Sequence, residues 1–182
     1  MKVALTQRVF YHKQRAYDSL EHGWYRYLKD HTLVFIPNRL DQDFEALANS
    51  VDALIITGGD DSTIRRTTEI KLATLMMQKF KPVLGICHGA FLLTDLLGGR
   101  IDVCENHMDT EHTIFYSNDQ YTVNSYHTQT IAKLHSTATN LAQDTDGNCE
   151  AWMDKNLAGV VWHPERMENA WLPVEILNLI KI

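Results

Sequence analysis

The stretch Pro82-Val83-Leu84-Gly85-Ile86-Cys87-His88-Gly89-Ala90-Phe91-Leu92-Leu93 decides how the chain is read. Its first part, through Ile86, is a short apolar run of the kind a strand buried on both faces requires. Apolar content resumes from Phe91 to Leu97 as a helix. Between them stands Cys87, with Gly85 two residues before it and Gly89 two after. Small residues at those offsets let a chain turn sharply from strand to helix and present the intervening side chain over the helix N-terminus. There the helix dipole and free N–H groups favour a thiolate over a thiol, which is what makes a cysteine reactive. A buried structural cysteine flanked by packing glycines is the competing reading of this stretch taken alone.

Upstream the same alternation of strand and helix recurs. Val3-Ala4-Leu5-Thr6 and Thr32-Leu33-Val34-Phe35-Ile36 predict strands, the second stopped by Pro37, and Val51 to Thr57 predicts a third that ends in Gly58-Gly59. Leu20, Trp24, Tyr27 and Leu28 fall at helical spacing over residues 17–28, and Phe44, Leu47 and Ala48 suggest a shorter helix. Ile70, Leu72, Ala73, Leu75, Met76 and Met77 give residues 67–80 a broad apolar face. Strands apolar on both faces and separated by helices predict a parallel sheet covered on both sides. Such sheets carry their sites at the carboxyl ends of the strands, where Arg8, Gly58-Gly59 and Cys87 all stand. After Gly98-Gly99 the pattern turns to shorter strands: Thr113 to Tyr116 and Tyr121 to Ser125 around Asn118-Asp119, then Cys149 to Met153 and Leu157 to Trp162. A helix from Trp171 to Ile180 is expected to close the chain, with Trp24 and Trp171 as packing residues.

Bulk properties narrow the function. The 182 residues suit one domain, 1–182, since domains usually hold roughly 100–200 residues. A net charge of −6, from 17 basic and 23 acidic residues without a basic block, argues against nucleic acid, whose phosphates need clustered Lys and Arg. Three widely spaced cysteines, Cys87, Cys104 and Cys149, fit a reducing compartment better than a disulfide scaffold. The apolar run Val3-Ala4-Leu5 is far too short for a leader or a membrane span. A cytoplasmic protein with no membrane partner is expected.

A thiol nucleophile needs a base, and the base needs a group that fixes its tautomer. Trp162-His163-Pro164-Glu165-Arg166 offers both just beyond the predicted strand Gly159-Val160-Val161. Thr57-Gly58-Gly59 at another strand end offers a backbone N–H for an oxyanion, although an ordinary turn explains two glycines equally well. His107, Asp109, Glu111 and His112 resemble a metal cluster in composition, but ligands must converge; a polar loop leading into a hairpin is the commoner explanation, and no metal is expected. Arg8, Arg65 and Arg66 follow strand ends and have the chemistry to meet a phosphate or carboxylate, with solvated surface arginines as the ordinary alternative.

The ordered series Thr57-Gly58-Gly59, Gly85-Ile86-Cys87-x-Gly89, Asn124-Ser125-Tyr126-His127, Asp146-Gly147-x-x-Glu150-Ala151 and Trp162-His163-Pro164-Glu165 resembles the class I glutamine amidotransferases over nearly the whole chain. The third and fourth motifs are most similar to its γ-glutamyl-γ-aminobutyrate hydrolase branch, peptidase family C26. The resemblance implies a flavodoxin-like α/β fold: a central, mostly parallel sheet with helices on both faces and a small antiparallel extension. It also implies hydrolysis of a small-molecule γ-glutamyl amide without a cofactor. Cys87 would form the thioester, His163 and Glu165 would complete the triad, and Gly59 and His88 would supply oxyanion N–H groups. Tyr126, His127 and Thr128 would sit where the family grips the glutamyl end, and Arg8, Arg65 or Arg66 would meet a phosphorylated amine. Thr57-Gly58-Gly59 followed by Arg65-Arg66 and Glu69 has some likeness to a subset that acts on γ-glutamyl nucleotide phosphoramidates.

One departure stands out. Glutaminase subunits carry Gln four residues after the cysteine, where this chain has Phe91, which favours a γ-glutamyl compound other than glutamine. The alternatives are a glutaminase subunit feeding ammonia to a separate synthetase partner, and a deglycase- or protease-like enzyme that uses the His88 following Cys87.

Overall fold

A computed structural model describes residues 1–105 and 107–181. The first half runs β1 (Lys2–Thr6), β2 (Arg8–His12), β3 (Arg15–Ser19), α1 (Gly23–Tyr27), β4 (Thr32–Ile36), α2 (Phe44–Ser50), β5 (Ala53–Ile56), α3 (Thr63–Gln78), β6 (Val83–Ile86) and α4 (His88–Leu96). Every residue of β5 and β6 is buried. Full burial of a Leu, Ile or Val side chain contributes about 1.5–3 kcal/mol, so these strands anchor the core. Asp43 caps α2 by accepting from the Ala46 N–H at 2.9 Å. Ser62 caps α3 in the same way through the Arg65 N–H, which starts that helix four residues ahead of the expected Thr67.

The second half runs β7 (Arg100–Val103), β8 (Thr110–Tyr116), β9 (Asp119–Ser125), β10 (Gln129–Lys133), β11 (Thr139–Asp144), β12 (Cys149–Asp154), β13 (Leu157–Val160), a 3-10 turn at Pro164–Arg166 and α5 (Val174–Ile180). The sheet order is β4-β1-β5-β6-β13-β12-β11-β8-β9, with β10 pairing β12 and β7. From β4 through β13 the neighbours are parallel; from β12 onward they are antiparallel. This is the expected α/β sheet, with a broad antiparallel wing. Because β1, β5, β6 and β13 are parallel and in register, their carboxyl ends deliver Gln7, Thr57, Cys87 and Val161 to one edge. Among the described residues no helix is long and apolar enough to cross a membrane.

Two elements depart from the sequence reading. The helix expected over 17–28 is the end of the β2–β3 hairpin's second strand followed by the five-residue α1. The hairpin turns on Lys13 and Gln14, both at positive φ (45° and 64°), without the Asn or Gly that usually marks such a turn. Its strands are largely exposed, so no hydrophobic alternation marked them. Trp24 and Leu28 from the proposed apolar set are nevertheless buried. At the other end α5 begins at Val174, behind Pro173, and Trp171 lies before it, stacked on Tyr121 with ring centroids 4.0 Å apart.

Candidate active site

Cys87 is the residue at which the chain leaves β6 and enters α4. Its backbone sits at φ 50° and ψ −104°, a conformation a non-glycine residue adopts only where its surroundings impose it. Here its N–H donates to the Val160 carbonyl at 2.8 Å, and both flanking glycines are sterically required. A Cβ on Gly85 would lie 2.3 Å from the Gly89 backbone, and one on Gly89 would lie 2.2 Å from the Ile56 oxygen. The strand-to-helix turn is thus held tight by three chain segments.

His163 and Glu165 follow β13. Nδ1 of His163 is 2.7 Å from Oε1 of Glu165, and both residues are almost fully buried. Burial alone would depress the imidazole pKa, yet the neighbouring Cys87 and the hydrogen-bonded Glu165 carboxylate outweigh it and raise it to about 9. Asn124 fastens the backbone of His163 from both sides: Nδ2 donates to the His163 carbonyl at 2.9 Å, and the His163 N–H donates to Oδ1 at 2.8 Å. Tyr126 meets the imidazole edge-on, with centroids 5.5 Å apart. Gly58 lies against the ring's other flank, where a Cβ would be 2.3 Å from Cε1. Gly59 follows at φ 112°.

A cleft of about 280 Å³ opens over these residues, lined by Gly59, Asp60, Asp61, Cys87, His88, Phe91, Met108, Tyr126, His127, Thr128, Gln129, His163 and Arg166. The structure therefore brings Cys87, His163, Gly59, His88, Tyr126, His127 and Thr128 to one space, with Glu165 directly behind His163. Phe91 forms part of the wall, its ring 6.1 Å from that of His127.

The arginines are distributed differently from the sequence expectation. Arg65 does not reach the cleft: it is fully buried. Its guanidinium donates to Glu69 Oε1 at 2.8 Å, the Asp60 carbonyl at 3.0 Å and the Thr57 carbonyl at 2.5 Å. It is a brace beneath the Thr57–Asp60 turn, kept from substrate by its complete burial. Glu69 also accepts from the Thr6 hydroxyl at 2.7 Å and binds His88 Nε2 at 2.7 Å. Burial would raise the Glu69 pKa, but His88 and Arg65 outweigh it and hold the carboxyl below its ordinary range. The His88 side chain is thus committed to Glu69, away from the role of a base for Cys87. Arg66 is half-exposed and pairs with Asp61 and Asp95. Arg8 pairs with Glu21 at 3.0 Å and packs beside Gly59.

The arginine that does line the cleft is Arg166, which the sequence reading quoted only as a neighbour of Glu165. It is held by Glu21 through two nitrogens at 2.8–3.1 Å, and its guanidinium lies 4.6 Å over the Tyr126 ring. Asn124, Glu21 and Arg166 went unassigned because their roles depend on contacts across up to 145 positions of sequence, which no local spacing reveals. Behind His127 a second polar group gathers His107, His112, Asp144 and Glu150, while Asp109 and Glu111 of the expected polar loop are exposed.

The architecture is the flavodoxin-like fold of class I glutamine amidotransferases. Residues 15–173 match the glutamine amidotransferase class-I family, and the chain belongs to it. A γ-glutamyl-CDP-amidate hydrolase of Campylobacter jejuni is 31% identical over 195 aligned residues, covering 98% of this chain and 96% of that protein. The crystal structure of a glutamine amidotransferase from Thermotoga maritima superposes with a TM-score of 0.70 at 15% identity, covering 98% of this chain and 79% of that one. A glutamine amido transferase from Methylobacillus flagellatus gives 0.63 at 12% identity, covering 97% and 72%.

Proposed function

We propose that the protein hydrolyses the γ-glutamyl amide bond of a small molecule through a thioester on Cys87, releasing glutamate and an amine. The observation that carries this reading is the hydrogen-bonded His163–Glu165 pair, whose imidazole lines the same cleft as Cys87 at the strained strand-to-helix turn. Cys87 Sγ attacks the γ-carbonyl carbon while His163 holds its proton. The backbone N–H groups of Gly59 and His88 receive the oxyanion. Collapse breaks the C–N bond, and the departing nitrogen takes the proton from His163. Water, deprotonated by the same imidazole, then cleaves the thioester. Glu165 keeps Nδ1 protonated so that Nε2 faces the thiol, and it stabilises the imidazolium.

The amine side is the more informative end. The full-length likeness to a γ-glutamyl-CDP-amidate hydrolase makes a γ-glutamyl nucleotide phosphoramidate the leading substrate. Arg166, on the cleft wall and held flat over Tyr126, is the donor suited to a phosphate. Arg8 shares Glu21 with it and lies beside Gly59. Phe91 in the cleft wall supports a substrate other than free glutamine. The test is glutamate release from γ-glutamyl-CDP-amidate, simple γ-glutamyl amides and glutamine, compared as kcat/KM. A preference for the nucleotide compound supports the proposal. Efficient use of glutamine by the purified chain, or activation by a synthetase in cell extract, would instead favour an ammonia-supplying subunit.

A further inference from the structure

His112 on β8, His127 just after β9 and Glu150 on β12 come from three separate segments, yet their side-chain donor atoms lie within 4.8 Å of one another. Glu150 and His127 are almost fully buried. His112 Nε2 is 3.4 Å from Glu150 Oε2, and His127 Nε2 is 4.0 Å from Glu150 Oε1. Among the described residues, both ring nitrogens of His112, Nε2 of His127 and Oε2 of Glu150 have no hydrogen-bond partner. A buried polar atom without a partner is destabilising, and here one atom from each of three residues, His112 Nε2, His127 Nε2 and Glu150 Oε2, is unpaired within one small space.

The tautomer of His127 sharpens the point. Its Nδ1 lies 2.8 Å from the Gln129 carbonyl, which only accepts, so Nδ1 carries the hydrogen. Nε2 is then a bare lone pair, and it faces a carboxylate oxygen, another acceptor. Two buried acceptors facing each other are relieved by a metal ion or a proton placed between them. An imidazole that donates one N–H to a backbone carbonyl while its other nitrogen points inward is also how metal-bound histidines are oriented.

We propose that His112, His127 and Glu150 bind a divalent transition-metal ion of the zinc type, with solvent in the fourth position. Two imidazoles and one carboxylate are a donor set zinc accepts. In a tetrahedral zinc site with bonds of about 2.0–2.2 Å, neighbouring ligand atoms lie roughly 3.3–3.6 Å apart. His112 Nε2 and Glu150 Oε2 already stand at that separation; His127 Nε2 faces the other carboxylate oxygen at 4.0 Å, and the three donors, spread within 4.8 Å, would draw together around the ion. Cys104 lies beside the far nitrogen, 3.7 Å from His127 Nδ1, and is not a ligand. The ion would tie β8 and β12 to the segment Tyr126–Gln129, which forms one wall of the cleft. The competing occupant is a proton shared between His112 and Glu150.

The test uses full-length Cys87→Ala protein, so that the reactive thiol cannot itself collect metal. After chelator treatment and re-exposure to Zn(II), elemental analysis should find roughly one zinc per chain, lost in His112→Gln and Glu150→Gln. Saturating zinc should raise Tm on the order of 5–10 °C. If the two variants do not fold, the Co(II) spectrum of the Cys87→Ala protein decides. Tetrahedral visible absorption without a thiolate charge-transfer band supports the site. No zinc uptake, uptake unchanged in folded His112→Gln and Glu150→Gln, or a thiolate band overturns it.

Discussion

Asn124 holds the two backbone polar groups of His163 at once, donating to its carbonyl at 2.9 Å and accepting its N–H at 2.8 Å. A single side chain on β9 of the antiparallel wing therefore fixes the imidazole that serves the parallel half. Asn124→Ala removes both bonds and leaves two buried backbone groups without partners, at about 1–3 kcal/mol each. Tm should fall by several degrees, and kcat should fall with it. Asn124→Asp keeps the acceptor and loses the donor, so its stability should lie between the two. Wild-type Tm in Asn124→Ala would show that the clamp contributes nothing.

Gly58 is a steric gate for the same ring. An alanine Cβ there would lie 2.3 Å from His163 Cε1, so the imidazole must move away from Cys87. A displacement of about 1 Å at a reacting group costs on the order of 10²-fold in rate. Gly58→Ala is expected to fold and bind substrate but to lose kcat by about that factor. A kcat within about threefold of wild type would mean that the ring tolerates the shift and that the geometry inferred for its proton transfers is mistaken.

The raised pKa of His163 sets the pH profile. Its imidazolium is stabilised in the folded protein, so this contribution to stability is complete below the unfolded value of about 6.5. It is lost as pH rises through about 9. Activity that depends on the imidazolium as proton donor should fall along the same limb. Glu165→Gln removes one of the groups that raise the pKa and should move the alkaline limb of kcat/KM to lower pH, as well as lowering its plateau. An unmoved limb would detach Glu165 from His163.

The three cysteines should react unequally. Burial pushes the thiols of Cys149 and Cys104 above the ordinary range, and Glu150 adds to both. Neither is a ready thiolate near neutral pH. Iodoacetamide should therefore label Cys87 first, with protection by a γ-glutamyl analogue. Comparable labelling of all three would remove the case for an activated nucleophile.

Arg65 and Arg166 separate structure from recognition. Arg65→Ala strands the buried Glu69 carboxylate, and breaking a buried pair from one side costs about 3–5 kcal/mol. The expected result is poor folding, with no selectivity among substrates. Arg166→Ala should leave Tm nearly unchanged and raise KM for a phosphorylated substrate far more than for a simple γ-glutamyl amide. Arg166→Lys should recover only part of this, since it loses the planar stack on Tyr126 and the paired bonds to Glu21. Equal effects on both substrates would place the phosphate elsewhere.

Much of this was legible in the chain itself. Buried strands such as Val83–Ile86 announce themselves because burial on both faces demands uninterrupted apolar residues. The Gly85-x-Cys87-x-Gly89 offsets are visible because the turn's sterics act over two residues. The β2–β3 hairpin and β7, β10 and β11 were not seen. Their strands are partly or wholly exposed, and the register of β11 on β12 is broken by bulges, so no period of two survives. Arg65 was misplaced for a related reason. Its burial depends on meeting backbone carbonyls of the Thr57–Asp60 turn, and a charged residue after a strand end reads as solvated until those partners are seen.

The Arg65–Glu69–His88 chain carries an evolutionary corollary. Each member neutralises or satisfies the next, so replacing any one alone strands a charge or a donor, whereas replacing all three with apolar residues strands no charge and leaves only neutral groups, the Thr57 and Asp60 carbonyls and the Thr6 hydroxyl, to find new partners. Descendants of this protein should therefore keep the trio whole or discard it whole, and single-member losses should be rare among working homologues. The residue after the nucleophile would then drift in step with two positions on a neighbouring helix, a linkage that touches no substrate and would easily be mistaken for one that does.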